Sequence, residues 1–423
     1  MSTTRRGFLT GAIAAATAPY FIPAKALGAD GNVAPSERIV MGGIGIGGRG
    51  TGDLGNLIHF ADCQFVAVAD TRKDNRDRVT NMINQKNGNK DCASLIDFRE
   101  LLARTDIDAV LIAISDRWHT PMSVFAMRAG KDVYCEKPCS FSIAEGRVLA
   151  DTARQLGRVY QSGTQRRSEE PFIFIHELAQ QGYLGKVHTY TADVWGGNVK
   201  PGWLTPFEPT PADDVLSWDL YLGPAPWRPY NKGYIGHMGI EDFHTGCIGE
   251  WGSHTVDQAQ WMHGCTNTGP VEFVFPNNGD DPGGLQMVYA DGSKCVLKQG
   301  GFPNSCGIKI EGSEGWAYSA DSCGASCFPA TLLSKRKALV AQYVARTQRP
   351  IHHWRDFLDS CKSRREAVAP PEQAHRAMAA CHAGNICMKL KRNLKWDGVK
   401  EEFIGDEDAN RLRRRPSRPQ WSV

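Results

Sequence analysis

Residues 38–50 read Arg38-Ile-Val-Met-Gly-Gly-Ile-Gly-Ile-Gly-Gly-Arg-Gly50 and join an apolar run to a cluster of glycines. The run at 39–44 predicts a β-strand. The glycines that follow predict a tight turn into a helix, in which Gly45 permits the turn, Gly47 lets the backbone approach a phosphate and Gly50 allows close helix packing. The unpaired N–H groups of that helix would bind the phosphates. The stretch therefore predicts the first turn of a dinucleotide-binding fold.

The rest of the N-terminal half alternates between strand and helix patterns. Further apolar runs predict strands at 65–69, 109–113 and 133–135. A repeated strand–helix order implies a parallel sheet with right-handed crossovers. After about residue 160, short strand patterns separated by turn signals indicate a mainly antiparallel sheet. We expect an α/β protein with two domains: an N-terminal Rossmann dinucleotide-binding domain (36–158) and a C-terminal α/β domain with a large, mainly antiparallel sheet (159–398).

The N-terminus has the pattern of an export signal. Thr4-Arg-Arg-Gly-Phe-Leu9 is a twin-arginine motif, and a weakly apolar run at 11–18 follows it. We expect residues 1–29 to be a twin-arginine signal peptide and the mature protein to be periplasmic. A basic start followed by a membrane anchor is the weaker alternative, because the run is too short and alanine-rich to cross a bilayer.

Composition gives no sign of a nucleic-acid or membrane partner. The formal net charge is +3 and charged residues make up 22% of the chain, so no strong overall field is expected. The basic cluster at 411–415 lies in the segment 399–423, which we expect to be a solvated C-terminal tail. We expect no membrane span in the mature chain and no nucleic-acid binding.

The cysteines do not suggest a metal site. The chain has 13 cysteines at scattered spacings. Neither close pair, Cys135 with Cys139 or Cys323 with Cys327, has histidines at the spacing of zinc ligands. A twin-arginine substrate folds in a reducing cytoplasm, so we expect buried thiols and no metal.

Two residues bear on the choice of nucleotide. Asp70 lies 20 residues beyond Gly50, at the end of the second predicted strand, where a carboxylate would accept hydrogen bonds from the adenosine ribose. That position favours NAD. Arg72 follows closely and could hold a 2′-phosphate, so NADP stays open.

Several further motifs resemble one family. They are Asp116-Arg-Trp-His-Thr-Pro121, Glu136-Lys-Pro138, Gly163-Thr-Gln-Arg-Arg167, the segment 218–228 and Glu250-Trp-Gly-Ser-His-Thr-Val-Asp257. On these segments the chain resembles the Gfo/Idh/MocA oxidoreductases, which include inositol dehydrogenases and glucose–fructose oxidoreductase. The tryptophan-rich middle resembles their twin-arginine-exported branch.

The resemblance assigns three catalytic residues. It implies that Lys137 hydrogen-bonds the substrate hydroxyl, since a cation there stabilises the alkoxide that develops during hydride transfer. It implies that His254 is the acid/base, because histidine titrates near neutral pH. Glu250 stands where most relatives carry aspartate, one helical turn before His254, and is expected to tune the pair.

The remaining candidates line the expected cleft. Cofactor contacts are expected from the glycine turn, the segment after the strand at 109–113 and the start of the Glu-Lys-Pro motif: Gly45, Ile46, Gly47, Gly48, Arg49, Gly50, Asp70, Arg72, Ser115, Trp118, His119, Glu136 and Lys137. Substrate contacts are expected from Gln165, Arg166, Arg228, Tyr230, His244 and Asp257. For Trp118 a packing role fits as well as a binding one.

The pattern predicts an exported NAD(P)-dependent oxidoreductase that transfers hydride to or from a carbinol of a sugar, inositol or sugar derivative. Because the periplasm has no ready nucleotide pool, we expect the cofactor to stay tightly bound. One alternative is an NAD-dependent glycoside hydrolase or lyase acting by transient sugar oxidation, although the relatives of that kind lack the lysine of Glu-Lys-Pro. Another is a sugar-binding protein with a dead site. The family also implies a homo-oligomer.

Overall fold

The computed structural model describes residues 33–197, 199–236 and 239–423. The expected signal peptide, residues 1–29, lies outside these ranges. In the N-terminal part the strands are β1 (Ile39–Ile44), β2 (Cys63–Ala69), β3 (Ala93–Leu95), β4 (Ala109–Ile112), β5 (Asp132–Cys135) and β6 (Tyr160–Ser162). The helices there are α1 (Gly48–Leu57), α2 (Lys73–Asn87), α3 (Phe98–Leu102), α4 (Asp116–Arg128) and α5 (Ile143–Leu156).

These six strands form one parallel sheet in the order β3-β2-β1-β4-β5-β6. All four residues of β4 and all four of β5 are buried, as expected for parallel strands covered on both faces. The register pairs Ile44 at the end of β1 with Ile112 near the end of β4, and Ile112 with Cys135 at the end of β5. The segments that follow these strands therefore emerge at one edge of the sheet.

The C-terminal part contains the strands β7 (Val187–Val194), β8 (Glu272–Val274), β9 (Gln286–Val288), β10 (Lys294–Gln299), β11 (Ile308–Gly312), β12 (Trp316–Ser319), β13 (Ser326–Phe328), β14 (Leu394–Asp397) and β15 (Glu402–Phe403). Its helices are α6 (Glu170–Gln180), α7 (Trp218–Leu222), α8 (Gly246–His263), α9 (Arg336–Thr347), α10 (His353–Ser363), α11 (Pro371–Leu390) and α12 (Glu407–Arg411).

The C-terminal strands form a nine-stranded sheet in the order β13-β12-β11-β7-β10-β9-β8-β14-β15. Its neighbours pair antiparallel except for β7 and β10, which run parallel. Helix α8 packs against β7 and against α11, and α11 also packs on α5 of the N-terminal part. The expected α/β fold, with a Rossmann sheet and a large, mainly antiparallel second sheet, is confirmed.

The C-terminal segment is not the solvated tail that the basic cluster suggested. Arg415 donates to Glu145 at 2.7 Å, and its guanidinium lies 4.0 Å from the ring centre of Phe141. The Trp421 side chain is buried, with its ring 4.9 Å from that of Trp118. The segment docks because Arg415 pairs with Glu145 and Trp421 packs against Trp118, both on the N-terminal part.

Eleven of the thirteen cysteine side chains are buried, in line with the expectation of core thiols. Among the described residues, we find no helix with the length and apolar character needed to cross a bilayer.

The glycine turn makes a prediction about stability. A Cβ added at Gly50 would lie 2.8 Å from the Cβ of Ala113, whereas one added at Gly52, in the same helix, would meet nothing within 4 Å. We expect Gly50→Ala to lower the free energy of unfolding by about 1–3 kcal/mol through overpacking. Gly52→Ala should raise it by about 0.5–1 kcal/mol, because alanine loses less backbone entropy in a helix. Urea unfolding measures both, and equal effects would contradict the close packing of α1 on β4.

Candidate active site

The glycine turn forms one wall of a cleft at the carboxyl edge of the parallel sheet. Gly45 has a φ of 68°, in the left-handed region that glycine adopts easily. Gly47 is the N-cap residue of α1, and a Cβ on it would meet nothing closer than 3.8 Å; one on Gly48 would meet nothing within 4 Å. The side chain of Ile46 is fully buried beneath the turn. The backbone at the start of α1 is thus accessible to a pyrophosphate, which fits the expected dinucleotide.

Asp70 ends the next strand along the sheet and is 7% exposed. Its carboxylate accepts hydrogen bonds from the backbone N–H of Arg72 at 2.9 Å and from the amide of Asn75 at 3.2 Å. Burial raises the pKa of Asp70 to about 6, although these hydrogen bonds oppose the shift. The side chain lines a small pocket together with Gly45, Thr71, Ile96, Trp118 and Leu220.

Arg72 does not reach into this pocket in the way that NADP binding would need. Its guanidinium is paired with Asp74, and its Nε lies 3.1 Å from one carboxylate oxygen. A carboxylate at the position of Asp70 accepts hydrogen bonds from a ribose diol and repels a 2′-phosphate. The geometry therefore fits NAD better than NADP.

The segment after β4 serves mainly to hold neighbouring parts of the site. Ser115 is the N-cap residue of α4 but its side chain makes no capping hydrogen bond. Trp118 is buried and donates its indole N–H to the carbonyl of Leu220 at 3.1 Å, so it packs as well as lining the pocket. His119 lies inside the protein with its Nδ1 2.7 Å from the carbonyl oxygen of Pro138. It thereby fixes the turn that follows β5.

Glu136, at the start of that turn, is fixed from two sides. Its Oε1 accepts a hydrogen bond from Gln165 at 2.6 Å and lies 3.2 Å from Nε of Arg49. Arg49 also pairs with Asp53 at 2.8 Å. A Cβ at Gly163 would lie 2.4 Å from the same Glu136 oxygen, so a glycine is needed there. Arg49 thus joins the glycine turn to the Glu-Lys-Pro turn, and Gln165 supports Glu136 rather than standing free for substrate.

Lys137 and Glu250 meet across the cleft. The ammonium group of Lys137 donates to Glu250 Oε2 at 3.0 Å and to the backbone carbonyl of Glu250 at 3.2 Å. Burial alone would lower the pKa of Lys137, but the carboxylates of Glu250 and Glu136 outweigh it and raise the pKa. The lysine is therefore held as a cation whose position is set by α8.

His244 joins this pair to the N-terminus of α4. Its Nδ1 lies 3.3 Å from Glu250 Oε1 and 3.4 Å from Asp116 Oδ1. Burial opposes protonation, but the two carboxylates outweigh it and raise the pKa of His244 to about 9. Asp116 is buried; burial would raise its pKa, and the contact with His244 drives that pKa well below its usual range. His244, which was expected to bind substrate, belongs to the charged cluster around Lys137.

His254 lies one helical turn beyond Glu250 on α8. It is 4% exposed, and its Nδ1 has no hydrogen-bond partner among the described residues. Burial, followed by the positive charges of Arg166 and Lys137, holds the pKa of His254 well below its usual range. The imidazole is therefore neutral.

The other residues expected to contact substrate are bonded within the protein. Arg166 donates to Asp321 at 2.7 Å and is half-buried. Arg228 is fully buried, paired with Asp242 and 4.9 Å from the ring centre of Phe243.

Asp257 is also inside the protein, where Arg167 donates to both of its oxygens at 2.7 Å. The ring of half-buried Tyr230 packs edge-on against Trp218 at 5.2 Å. The structure thus corrects the expectation for Arg228 and Asp257: each is buried and paired with an oppositely charged side chain of the protein rather than lining the cleft wall.

Two residues of the site, Asp116 and Asp53, were not predicted from the sequence. Asp116 belongs to a motif that was noted, but nothing in the sequence says that it meets His244 from 128 positions away. Asp53 is fully buried beside Arg49. Asp53 lies four residues after Arg49 on one helix, and this spacing could have predicted the ion pair.

Two family models match the chain and together cover most of it. The model described as "Oxidoreductase family, NAD-binding Rossmann fold" matches residues 38–164, and the one described as "Oxidoreductase family, C-terminal alpha/beta domain" matches residues 173–423.

Solved structures with the same fold include enzymes of polyol and sugar chemistry. Apo scyllo-inositol dehydrogenase from Lactobacillus casei is similar at 16% identity with a TM-score of 0.59, covering 85% of this chain and 98% of that one. Aldose-aldose oxidoreductase from Caulobacter crescentus is similar at 16% identity with a TM-score of 0.58, covering 85% and 99%. At these identities the likeness shows the fold.

Curated relatives match only part of the chain. "Glycosyl hydrolase family 109 protein 1" from Shewanella sp. (strain ANA-3) is 30% identical over 163 residues, which is 37% of this chain and 35% of the relative. "Alpha-N-acetylgalactosaminidase" from Shewanella oneidensis is 29% identical over 168 residues, again 37% and 35%. The match thus spans about a third of the length of these relatives.

Asp70 gives a pH dependence for nucleotide binding. Because a ribose diol donates to the ionised carboxylate, and the pKa of Asp70 is raised to about 6, we expect NAD affinity to be full above pH 7 and to fall as the pH drops through 6. Isothermal titration at several pH values, on protein stripped of nucleotide, measures this. Asp70→Asn should bind NAD more weakly, by about 10-fold for one charged hydrogen bond, and should lose the dependence near pH 6. A dependence that survives in Asp70→Asn would contradict the assignment.

Proposed function

Because the chain belongs to the Gfo/Idh/MocA family of oxidoreductases and has its NAD-binding Rossmann domain, we propose that it transfers hydride to or from a carbinol carbon of a sugar, an inositol or a sugar derivative. The observation that carries the proposal is the ammonium group of Lys137, which follows a strand of the nucleotide-binding sheet and is paired 3.0 Å from Glu250. The names of the similar structures, an inositol dehydrogenase and an aldose-aldose oxidoreductase, support the substrate class.

In this mechanism NAD supplies the hydride acceptor, and the protein manages the oxygen of the carbinol. Lys137 donates a hydrogen bond to that oxygen and stabilises the negative charge that develops when the hydride leaves carbon. His254, one helical turn from Glu250 on α8, takes the hydroxyl proton during oxidation, and its lowered pKa favours the return of that proton during reduction. Glu250 holds the ammonium group of Lys137 in place, and Glu136 supports the turn on which Lys137 stands.

A second candidate function is net hydrolysis of a glycoside, favoured by the partial match to glycoside hydrolases. Oxidation of one carbinol to a ketone makes the neighbouring C–H acidic, so the aglycone can leave by elimination. Addition of water and reduction of the ketone by the retained hydride then complete the hydrolysis. Redox chemistry without hydrolysis leaves that neighbouring C–H untouched. Turnover in D₂O therefore separates the two, because only the hydrolytic route puts deuterium on the carbon next to the oxidised one.

We also propose that the protein acts outside the cytoplasm with a captive cofactor. The twin-arginine motif at residues 4–9 supports export. A cofactor that stays bound must be regenerated in place, by oxidising one substrate and reducing another or by the hydrolytic cycle. The homo-oligomer expected from the family is part of the same proposal, and light scattering of the purified protein tests it.

Lys137 provides the direct test of the mechanism. Lys137→Met keeps most of the side-chain volume but removes the charge, so we expect kcat to fall by about 10²–10³-fold while nucleotide content stays unchanged. Lys86→Met, on the exposed surface of α2, is the matched control and should keep full activity. Turnover that is unchanged in both Lys137→Met and His254→Ala would show that other groups handle the proton.

The captive cofactor is tested on mature protein recovered from the periplasmic fraction. Denaturation followed by mass spectrometry should release about one NAD per chain if the cofactor enters during cytoplasmic folding. Protein that is empty and also takes up no added nucleotide would exclude the dehydrogenase and favour a sugar-binding role. Protein that is empty but readily binds NAD would contradict only the proposal that the cofactor stays bound, and would leave the oxidoreductase function in place.

A further inference from the structure

Asp116, His244 and Glu250 come from three separate parts of the chain and meet beside Lys137. Asp116 begins α4, His244 lies just before α8, and Glu250 stands in the second turn of α8. One side-chain atom of each lies within 4.8 Å of the other two. Asp116 and Glu250 are buried, and the His244 side chain is 12% exposed. Two buried carboxylates thus converge on a single imidazole nitrogen.

The distances in this cluster fit a bound cation better than a hydrogen bond. His244 Nδ1 lies 3.4 Å from Asp116 Oδ1 and 3.3 Å from Glu250 Oε1. An N–H donor points at one acceptor, and protein N–H···O bonds are usually about 2.7–3.2 Å long. Ligand atoms held about 2.0–2.2 Å from a tetrahedral zinc ion lie about 3.4 Å from each other. Both separations from Nδ1 match that spacing.

The second oxygen of each carboxylate is held by the protein. Asp116 Oδ2 accepts hydrogen bonds from the backbone N–H of Thr245 at 2.9 Å and from its hydroxyl at 3.0 Å. Glu250 Oε2 accepts from Lys137 at 3.0 Å. These bonds leave Asp116 Oδ1 and Glu250 Oε1 turned towards His244. Supporting bonds of this kind orient the ligands of metal sites and are part of their function.

The charges of the cluster are those of a metal site. Two carboxylates converge on one imidazole, and a metal ion that displaces the His244 proton would be held between them. A set of one imidazole and two carboxylates suits zinc and neighbouring divalent transition metals. Three protein ligands leave a fourth position open, as in catalytic zinc sites.

We propose that Asp116, His244 and Glu250 bind a divalent transition metal ion such as Zn²⁺, whose ligand spacing agrees with both distances from His244 Nδ1. The cluster adjoins Lys137 through Glu250, so an oxygen of the substrate would take the fourth position. This use of the metal rests on the proposed function: as a Lewis acid it lowers the pKa of a bound carbinol hydroxyl, whose proton leaves to His254 as the hydride leaves carbon. The substrate class narrows to polyols or sugars with a neighbouring oxygen able to reach the metal.

The experiment measures metal content and affinity on the full-length mature protein, independently of turnover. Elemental analysis of protein purified without chelator should give about one zinc per chain. After removal of the metal, competition titration with Zn²⁺ should restore one site, and Co²⁺ in the same site should give the visible absorption of a four-coordinate ion. His244→Ala should weaken Zn²⁺ binding by at least 100-fold. His59→Ala, an exposed histidine outside the cluster, is the control and should bind Zn²⁺ normally.

Glu250→Asp is a second variant in case His244→Ala does not fold. It keeps the charge but shortens the reach to His244 by one methylene, so Zn²⁺ affinity should fall while the melting temperature and nucleotide content stay near those of the parent. Stoichiometric zinc that both cluster variants lose supports the site. Less than 0.1 zinc per chain with no Zn²⁺ uptake, or affinity unchanged in His244→Ala, overturns it. Nucleotide content separates the two proposals, because a metal-free protein that still holds NAD and turns over leaves the oxidoreductase function standing.

Discussion

The contact between Lys137 and Glu250 is the constraint on which the site depends. An ammonium group inside a protein loses its hydration, and only a well-placed carboxylate compensates for that loss. Glu250 provides this carboxylate from α8, and its backbone carbonyl takes a second hydrogen bond from the same ammonium group. The contact therefore ties the end of a strand in the N-terminal sheet to the helix that packs on the C-terminal sheet. Removing either partner would take away the shortest contact of the other's charged group in the cleft.

Polar contacts extend from this pair to the nucleotide-binding turn. Arg49 stands in the first turn of α1 and pairs with Glu136, the residue directly before Lys137. Gln165 holds the same carboxylate, and His119 holds the carbonyl of Pro138 on the other side of Lys137. The position of the lysine is thus linked to the turn that receives the pyrophosphate. A site arranged in this way couples cofactor binding to the placement of its proton-handling groups.

The parts of the fold that depend on local sequence could be predicted. The strand β1 has the expected bounds, because an apolar run followed by glycines is a local signal. Lys137 and Glu250 could be placed in one cleft from the family resemblance.

The predictions that the structure corrects concern residues whose partners lie far away in the chain. Arg228 and Asp257 have the residue types of a sugar-binding site, yet each is buried and paired with an oppositely charged side chain that no spacing rule identifies. Trp421 likewise packs on Trp118, some 300 positions earlier, which turns an apparent tail into part of the core. Charge composition alone could not distinguish such buried pairs from exposed ones.

Charged side chains of opposite sign lie next to each other along the cleft. Arg49 pairs with Glu136, Lys137 with Glu250, and His244 with Asp116 and Glu250. A divalent metal ion bound by Asp116, His244 and Glu250 would add positive charge beside Lys137. That charge suits a reaction in which the substrate oxygen becomes an alkoxide, because nearby cations stabilise the negative oxygen as it forms.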